Sequence, residues 1–266
     1  MPIAALEDTP SVSAAWLQAI RFLKVQPRRK CYNLAYVVTN PATMTTDDEA
    51  TIRSFDLFAK GAGRHPVTTI ANTIFPISCY RNRDASRVYD GYVSDIYPRV
   101  KTAWGNYIER MLRRRDVRGE VMVGANGTPV NPLKSLTEKL KRRMEGSTGT
   151  TTHYELPVSD EVFEISTYDP VRDARYHRGG PCLSHLSFKL DAAGSLRLTA
   201  FYRSHFYLER ALGNLVGLAR LQGFVGNEAG CAVGPLTLIA SEACLESSLG
   251  TAKAVDVRAF LTSLGL

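Results

Sequence analysis

An α+β fold is what this sequence predicts, with an antiparallel or mixed sheet layered with helices. Three observations carry that expectation. Segments with apolar residues at helical spacing, such as Ser11 to Lys24, alternate with short β-branched and aromatic runs, such as Cys31 to Thr39. Two strand-like runs, Leu183 to Leu190 and Leu196 to Tyr202, are joined only by Asp191-Ala192-Ala193-Gly194-Ser195, the composition of a hairpin turn. The 266 residues, 44% hydrophobic and 22% charged, suffice for a full core in one domain, taken as 1–266.

Taken in order, Ser11 to Lys24 places Ala14, Trp16, Leu17, Ile20 and Leu23 at helical spacing, with Ser11 or Ser13 as cap. Cys31 to Thr39 reads as a strand, broken by Asn40-Pro41. A second helix starts at Asp47 or Asp48, carries Ile52, Phe55, Leu57 and Phe58, and ends near Gly61 to Gly63. His65 to Pro76 is expected to be a loop or short strand. Tyr92 to Arg115 turns helical in its second half, with Trp104, Tyr107, Ile108 and Leu112 on one face. Gly119 to Pro132, rich in Gly, Asn and Pro, is a hairpin or exposed loop. Asn131-Pro132 then opens an amphipathic helix, Leu133 to Met144, with proline where a first turn tolerates it. Glu161 to Thr167 is a further strand candidate. Phe206 to Phe224 is the most apolar helix and is expected to be buried. Ala232 to Ala240 is the last strand, and Val255 to Leu264 a closing helix.

Composition narrows the function classes. No apolar run approaches the roughly 20 residues that cross a bilayer, and the N-terminus lacks the pattern of a signal peptide. The five cysteines are scattered, without CxxC or Cys/His spacing, which points to reduced thiols, a cytoplasmic setting and no metal site. Glu242 and Glu246, four apart on a possible helix face, lack a third ligand. The net charge of +7 favours anionic partners, although clusters such as Arg28-Arg29-Lys30 read individually as solvated helix ends. Nucleic-acid binding rests on charge alone, because no zinc-finger or RNA-recognition pattern is present.

The chemistry concentrates between Gly179 and Asn214. Gly179-Gly180-Pro181-Cys182 puts a thiol after a chain break, Tyr202-Arg203-Ser204 follows the predicted hairpin, and Asn214 opens the apolar helix. That order can bring a thiol, a guanidinium and an amide to one side of a sheet. A thiolate needs a cation beside it, because a free cysteine titrates near ~8.5. A planar heterocycle needs a donor/acceptor pair, which an amide supplies. His205 follows Ser204 and can reach the same cavity, whereas His185, three residues past Cys182 on a strand, should face away from it.

Pro181-Cys182, Arg203-Ser204 and Asn214, in this order and with eleven positions from Arg203 to Asn214, resemble the thymidylate synthase superfamily. Tyr97 and Trp104 are similar to that family's aromatic pair before the folate site. The resemblance covers about residues 90 to 245, with 1–90 divergent. The predicted hairpin is about one residue longer than the family's, which a bulge can absorb. The resemblance implies a thymidylate synthase-like sheet with one face used for a homodimer. It also implies a one-carbon (methyl or hydroxymethyl) transferase with 5,10-methylenetetrahydrofolate as cofactor and a pyrimidine nucleotide or related ring as substrate. Cys182 would add to C6 of the ring, activated by Arg203. Ser204, Asn214 and His205 would bind substrate, with Asn214 on the N3/O4 edge, and Tyr97 and Trp104 would bind cofactor.

The departures point away from ordinary dUMP methylation. Between Met144 and Glu161 no arginine stands where the family places its phosphate pair, although Arg172, Arg175 and Arg178 lie closer to Cys182. Gly234 to Ser241 holds neither the histidine nor the tyrosine of the family's sugar contacts, and Phe206 and Arg210 replace an aspartate and a glycine. No helix with the family's catalytic glutamate precedes Tyr97. The sequence ends about twenty residues after Glu246, so the family's C-terminal tail is expected to be missing or replaced. The alternative is a catalytically inactive protein of the same fold, acting in binding or structure.

Overall fold

The computed structural model describes residues 3–100, 106–116, 120–148, 154–158, 182–246 and 250–266. Within these the chain is mixed α/β, built on an open, mixed sheet of seven strands. They are β1 (Ala4–Ala5), β2 (Lys30–Val38), β3 (Glu155–Pro157), β4 (Leu183–Leu190), β5 (Ser195–Tyr202), β6 (His205–Phe206) and β7 (Ala232–Cys244). The order across the sheet is β1-β2-β7-β5-β4-β3, with β6 also on β7. β4 and β5 form the predicted hairpin. Asp191 caps its turn by accepting from the Ala193 and Ser195 amides at 3.0 and 2.9 Å, and Gly194 takes the positive φ of 76°. β5 and β7 are parallel, so the chain between them must cross over, and the apolar helix does this.

The helices are α1 (Val12–Lys24), α2 (Thr46–Gly61), α3 (Val67–Ile74), α4 (Tyr97–Val100), α5 (Tyr107–Leu112), α6 (Pro132–Met144), α7 (Leu212–Ala229) and α8 (Ala254–Ser263). π-helical segments, Arg87–Ile96 and Tyr207–Ala211, lead into α4 and α7. α1 is capped by Ser11, as predicted. For α2 the cap is Thr45, and Asp48 is its third residue. Asp48 Oδ2 accepts from the Thr45 amide at 2.8 Å and the Thr45 hydroxyl at 2.7 Å. Its Oδ1 accepts from the hydroxyls of Ser11, at 2.6 Å, and Ser13. Burial opposes the charge, but these donors outweigh it and hold the carboxyl below its ordinary range.

Three local expectations change. The segment expected as loop or strand between His65 and Pro76 contains α3, because α7 offers it a helical groove. Gly213 and Gly217 let α3 approach so closely that a Cβ on Gly213 would lie 2.4 Å from Ile70 Cβ. Asn214 does not open its helix. Helical structure begins at Tyr207, seven residues earlier, where the Trp16 indole donates to the Tyr207 carbonyl at 2.8 Å. β7 runs on to Cys244, so Glu242 is a strand residue, and Glu246 follows the strand rather than sharing a helix face with it.

Inward residues of the sheet (Leu34, Tyr36, Val38, Leu198, Ala200, Tyr202, Leu236, Leu238) are buried beneath α1 and α7. On the opposite face Ala35, Val37, Thr199, Phe201, Thr237 and Ile239 stay partly open. Gln222 from α7 donates to the carbonyls of Leu196 and Gly234 at 2.7 and 2.9 Å, where the β5/β7 register shifts beside Pro235. Glu161 to Thr167 and Trp104 lie outside the described residues. No helix among the described residues is long and apolar enough to cross a membrane.

Candidate functional site

Cys182 stands immediately before β4, and Arg203 immediately after β5. The hairpin therefore brings them side by side, and the Arg203 amide donates to the Cys182 carbonyl at 3.0 Å. A register shift between Leu183 and His185 makes room for one extra residue on β4. The Arg203 carbonyl in turn accepts from the Glu242 amide of β7 at 3.2 Å. Arg203 is thus pinned between two strands by its backbone and is exposed.

The electrostatics at that sulfur are contested. Partial burial pushes the Cys182 thiol up, the charge and hydrogen bond of Arg203 pull it down, and Arg210 adds to the pull. Burial wins, so the resting side chain is a thiol and not the thiolate that a neighbouring cation alone implies. Tyr107, buried on α5, lies near the backbone of Cys182 and Leu183 at the same strand end.

Behind Arg203 lies a buried polar and aromatic layer. His205 is 1% exposed and stacks on Tyr202, with ring centroids 4.1 Å apart. Its Nε2 lies 3.0 Å from Nδ2 of Asn214, which is 4% exposed. Burial drives the imidazole pKa down to about 3, so the ring is neutral. Tyr202 stands opposite Leu183 in the β4/β5 pairing, one residue from Cys182, and its burial keeps the hydroxyl from ionising. The described structure brings Cys182 beside Arg203, and His205 beside Asn214, as two separate pairs at this end of the sheet. Ser204 is half-buried at the strand end. Tyr97 is separate from this group. Its hydroxyl is hydrogen-bonded by Arg115, which also pairs with Glu109 at 2.8 Å.

Several residues at this end of the sheet carry no motif. Arg210, on the π-helical segment that follows β6, adds its charge to the field at the sulfur. Arg29 pairs with Glu246 at 2.7 Å and Lys30 with Glu242 at 3.3 Å, so the basic cluster, exposed at the end of a short 3₁₀ turn as expected, is also tied to the end of β7. It stands two strands from Arg203, about 10 Å across the sheet. Arg28 and Arg29 both take positive φ, 55° and 53°, to make this turn. Cys244 donates to Glu242 at 3.0 Å, and burial with that carboxylate raises its thiol to about 12, which makes it inert. His185 joins Ser187 and Lys189 around Glu155, and the extra residue on β4 removes the three-residue alternation from which it was expected to face away from Cys182.

Among the described residues no group of three or more His, Cys, Asp and Glu is placed to hold a metal ion. The arrangement sets a partly buried thiol beside Arg203, with a buried histidine–asparagine pair stacked on Tyr202. The chain matches no protein-family model, and no curated protein matches it.

Proposed function

We propose that this protein is a thymidylate synthase-like one-carbon transferase that forms a covalent adduct between Cys182 and a pyrimidine or related ring. The observation that supports this reading most directly is the pairing of Cys182 with Arg203 across the closed hairpin, where the Arg203 charge pulls against burial at the thiol. Cationic neighbours favour the charged sulfur and an anionic adduct in a water-poor site. On addition the sulfur bonds to C6 of the ring, the C5=C6 π electrons move toward C5 and O4, and the thiol proton leaves to solvent or substrate. Arg203 would stabilise the departing charge, Ser204 would donate to a substrate phosphate, and Asn214 would hold the N3/O4 edge.

The expected one-carbon source is 5,10-methylenetetrahydrofolate. Of the aromatic pair assigned to it, Tyr97 lies among the described residues and Trp104 outside them. No step is therefore routed through the cofactor. The product, methyl or hydroxymethyl, follows from what the second substrate supplies. The partly open sheet face with Phe201 and Ile239 is the proposed homodimer face, to be checked by light scattering during size exclusion.

The deciding experiment is mass spectrometry of the protein incubated with methylenetetrahydrofolate and a panel of pyrimidine bases, nucleosides and nucleotides. Product is expected with wild type and absent with Cys182→Ser. Equal product from both would remove the mechanism. A second reading, binding without turnover, draws support from the resting thiol state of Cys182. Ligand binding with no product and no adduct in the wild type would favour it.

A further inference from the structure

Away from Cys182, the chain encloses a cleft of about 760 Å³, a volume within the range of small-molecule sites. Its walls are the π-helical segment Arg87–Ile96, the end of α5 with the turn that follows, and the first turns of α6. That turn is the hairpin expected from the Gly, Asn and Pro content of residues 119–132. The Val130 amide donates to the Met122 carbonyl at 2.9 Å, and the Gly124 amide to the Thr128 carbonyl at 2.8 Å. Neither Cys182 nor Tyr97 lines the cleft. Helix α5 stands between, with Tyr107 near the backbone of Cys182 at one end and Leu112 in the cleft at the other.

The floor of the cleft is apolar. Val93 and Leu112 are buried there, and Tyr89 is half-buried, with Lys134 Nζ over its ring at 6.0 Å from the centroid. The rim carries charge of both signs. Arg113 and Lys134 supply two cations, Asp90 and Glu138 two carboxylates, and no ion pair engages any of the four among the described residues. Lys134 and Glu138 are four apart on α6, a spacing that allows an ion pair, yet Lys134 lies over Tyr89 instead. This balance decides what the cleft can hold. An anion would gain from Arg113 and Lys134 and be repelled by Asp90 and Glu138, and a cation would meet the reverse. A molecule that carries both signs gains from both pairs.

We propose that this cleft is a second binding site, for a zwitterionic small molecule of the amino-acid class. Its carboxylate pairs with Arg113 and Lys134, and its ammonium with Asp90 and Glu138. An apolar or aromatic side chain covers the floor, where burying it against Val93 and Leu112 adds the hydrophobic part of the affinity. The site does not depend on the reading of Cys182 as a nucleophile, because none of the residues assigned to that chemistry lines it.

The test is a titration of the full chain, followed by amide NMR at neutral pH, with three molecules that share one ring. They are L-phenylalanine, phenylpropionate, which lacks the ammonium, and phenethylamine, which lacks the carboxylate. Phenylalanine should bind roughly fivefold tighter than either, about the most that an exposed charge pair contributes. The amides that shift should lie in Arg87–Ile96 and at the start of α6. Arg113→Gln should bring phenylalanine toward the affinity of phenethylamine, and Glu138→Gln toward that of phenylpropionate. Both side chains reach solvent, so neither change disturbs the core. Cys182→Ser should bind phenylalanine as the wild type does, whatever becomes of its turnover, so the two readings fail separately. The proposal is overturned by a wild type that does not bind phenylalanine, by equal binding of a one-signed analogue, by unchanged affinity in both rim variants, or by loss of binding in Cys182→Ser.

Discussion

His205 makes stability depend on pH in a way that can be computed from its surroundings. Burial lowers its pKa from 6.5 to about 3. Between those values the unfolded chain binds a proton at this ring and the folded chain does not, so stability falls as pH falls and is fully present above 6.5. At pH 5 the unfolded ring is almost entirely protonated, and the loss amounts to about 2 kcal/mol, nearly all of it acquired below pH 7. Asp48 and Glu242 have lowered pKa values and lose their contributions at more acid pH, below the ordinary carboxylate range, so the two effects occupy different windows. Urea unfolding at pH 7 and pH 5 measures the difference. Wild type should lose about 2 kcal/mol more between the two than His205→Gln, which has nothing to titrate there. Equal pH dependence in the two proteins would refute the claim that His205 is folded as a buried neutral ring.

Three further outcomes follow from the packing and the site. Gly213→Ala should destabilise by about 2 kcal/mol, because the new methyl would lie 2.4 Å from Ile70 Cβ. Gly223→Ala in the same helix meets nothing within 4 Å and should stabilise by up to about 1 kcal/mol; thermal melts of the two variants should move in opposite directions. Asp48→Ala strips its acceptors from Ser11, Ser13 and Thr45 at once and should cost about 3 kcal/mol in urea unfolding, while a cost below about 1 kcal/mol would mean that water replaces the carboxylate. Arg203→Ala should raise the Cys182 thiol pKa further and slow its alkylation, followed by peptide mass spectrometry at pH 8; an unchanged rate would show that Arg203 does not govern the sulfur.

Local order was readable where a segment's own residues decide its shape. The hairpin is dictated by Asp191 and Gly194, α6 by Asn131-Pro132 and its apolar spacing, and the neighbourhood of Cys182 and Arg203 by the closure of that hairpin. The segment holding α3 was not readable, because its helix exists to fill the groove opened by Gly213 and Gly217, far along the chain. The same holds for the site's back wall. Nothing local tells that the charge of Arg210 will bear on Cys182, that Arg29 and Lys30 will pair with Glu246 and Glu242, or that His205 will be sealed against Tyr202 and Asn214.

The amino-acid order by itself determined which groups are available and which strands are neighbours through a short turn. Only the tertiary structure decided their protonation and orientation. Those depend on desolvation and on partners contributed by distant elements, which is why Cys182 rests as a thiol despite its arginines and why His205 is neutral.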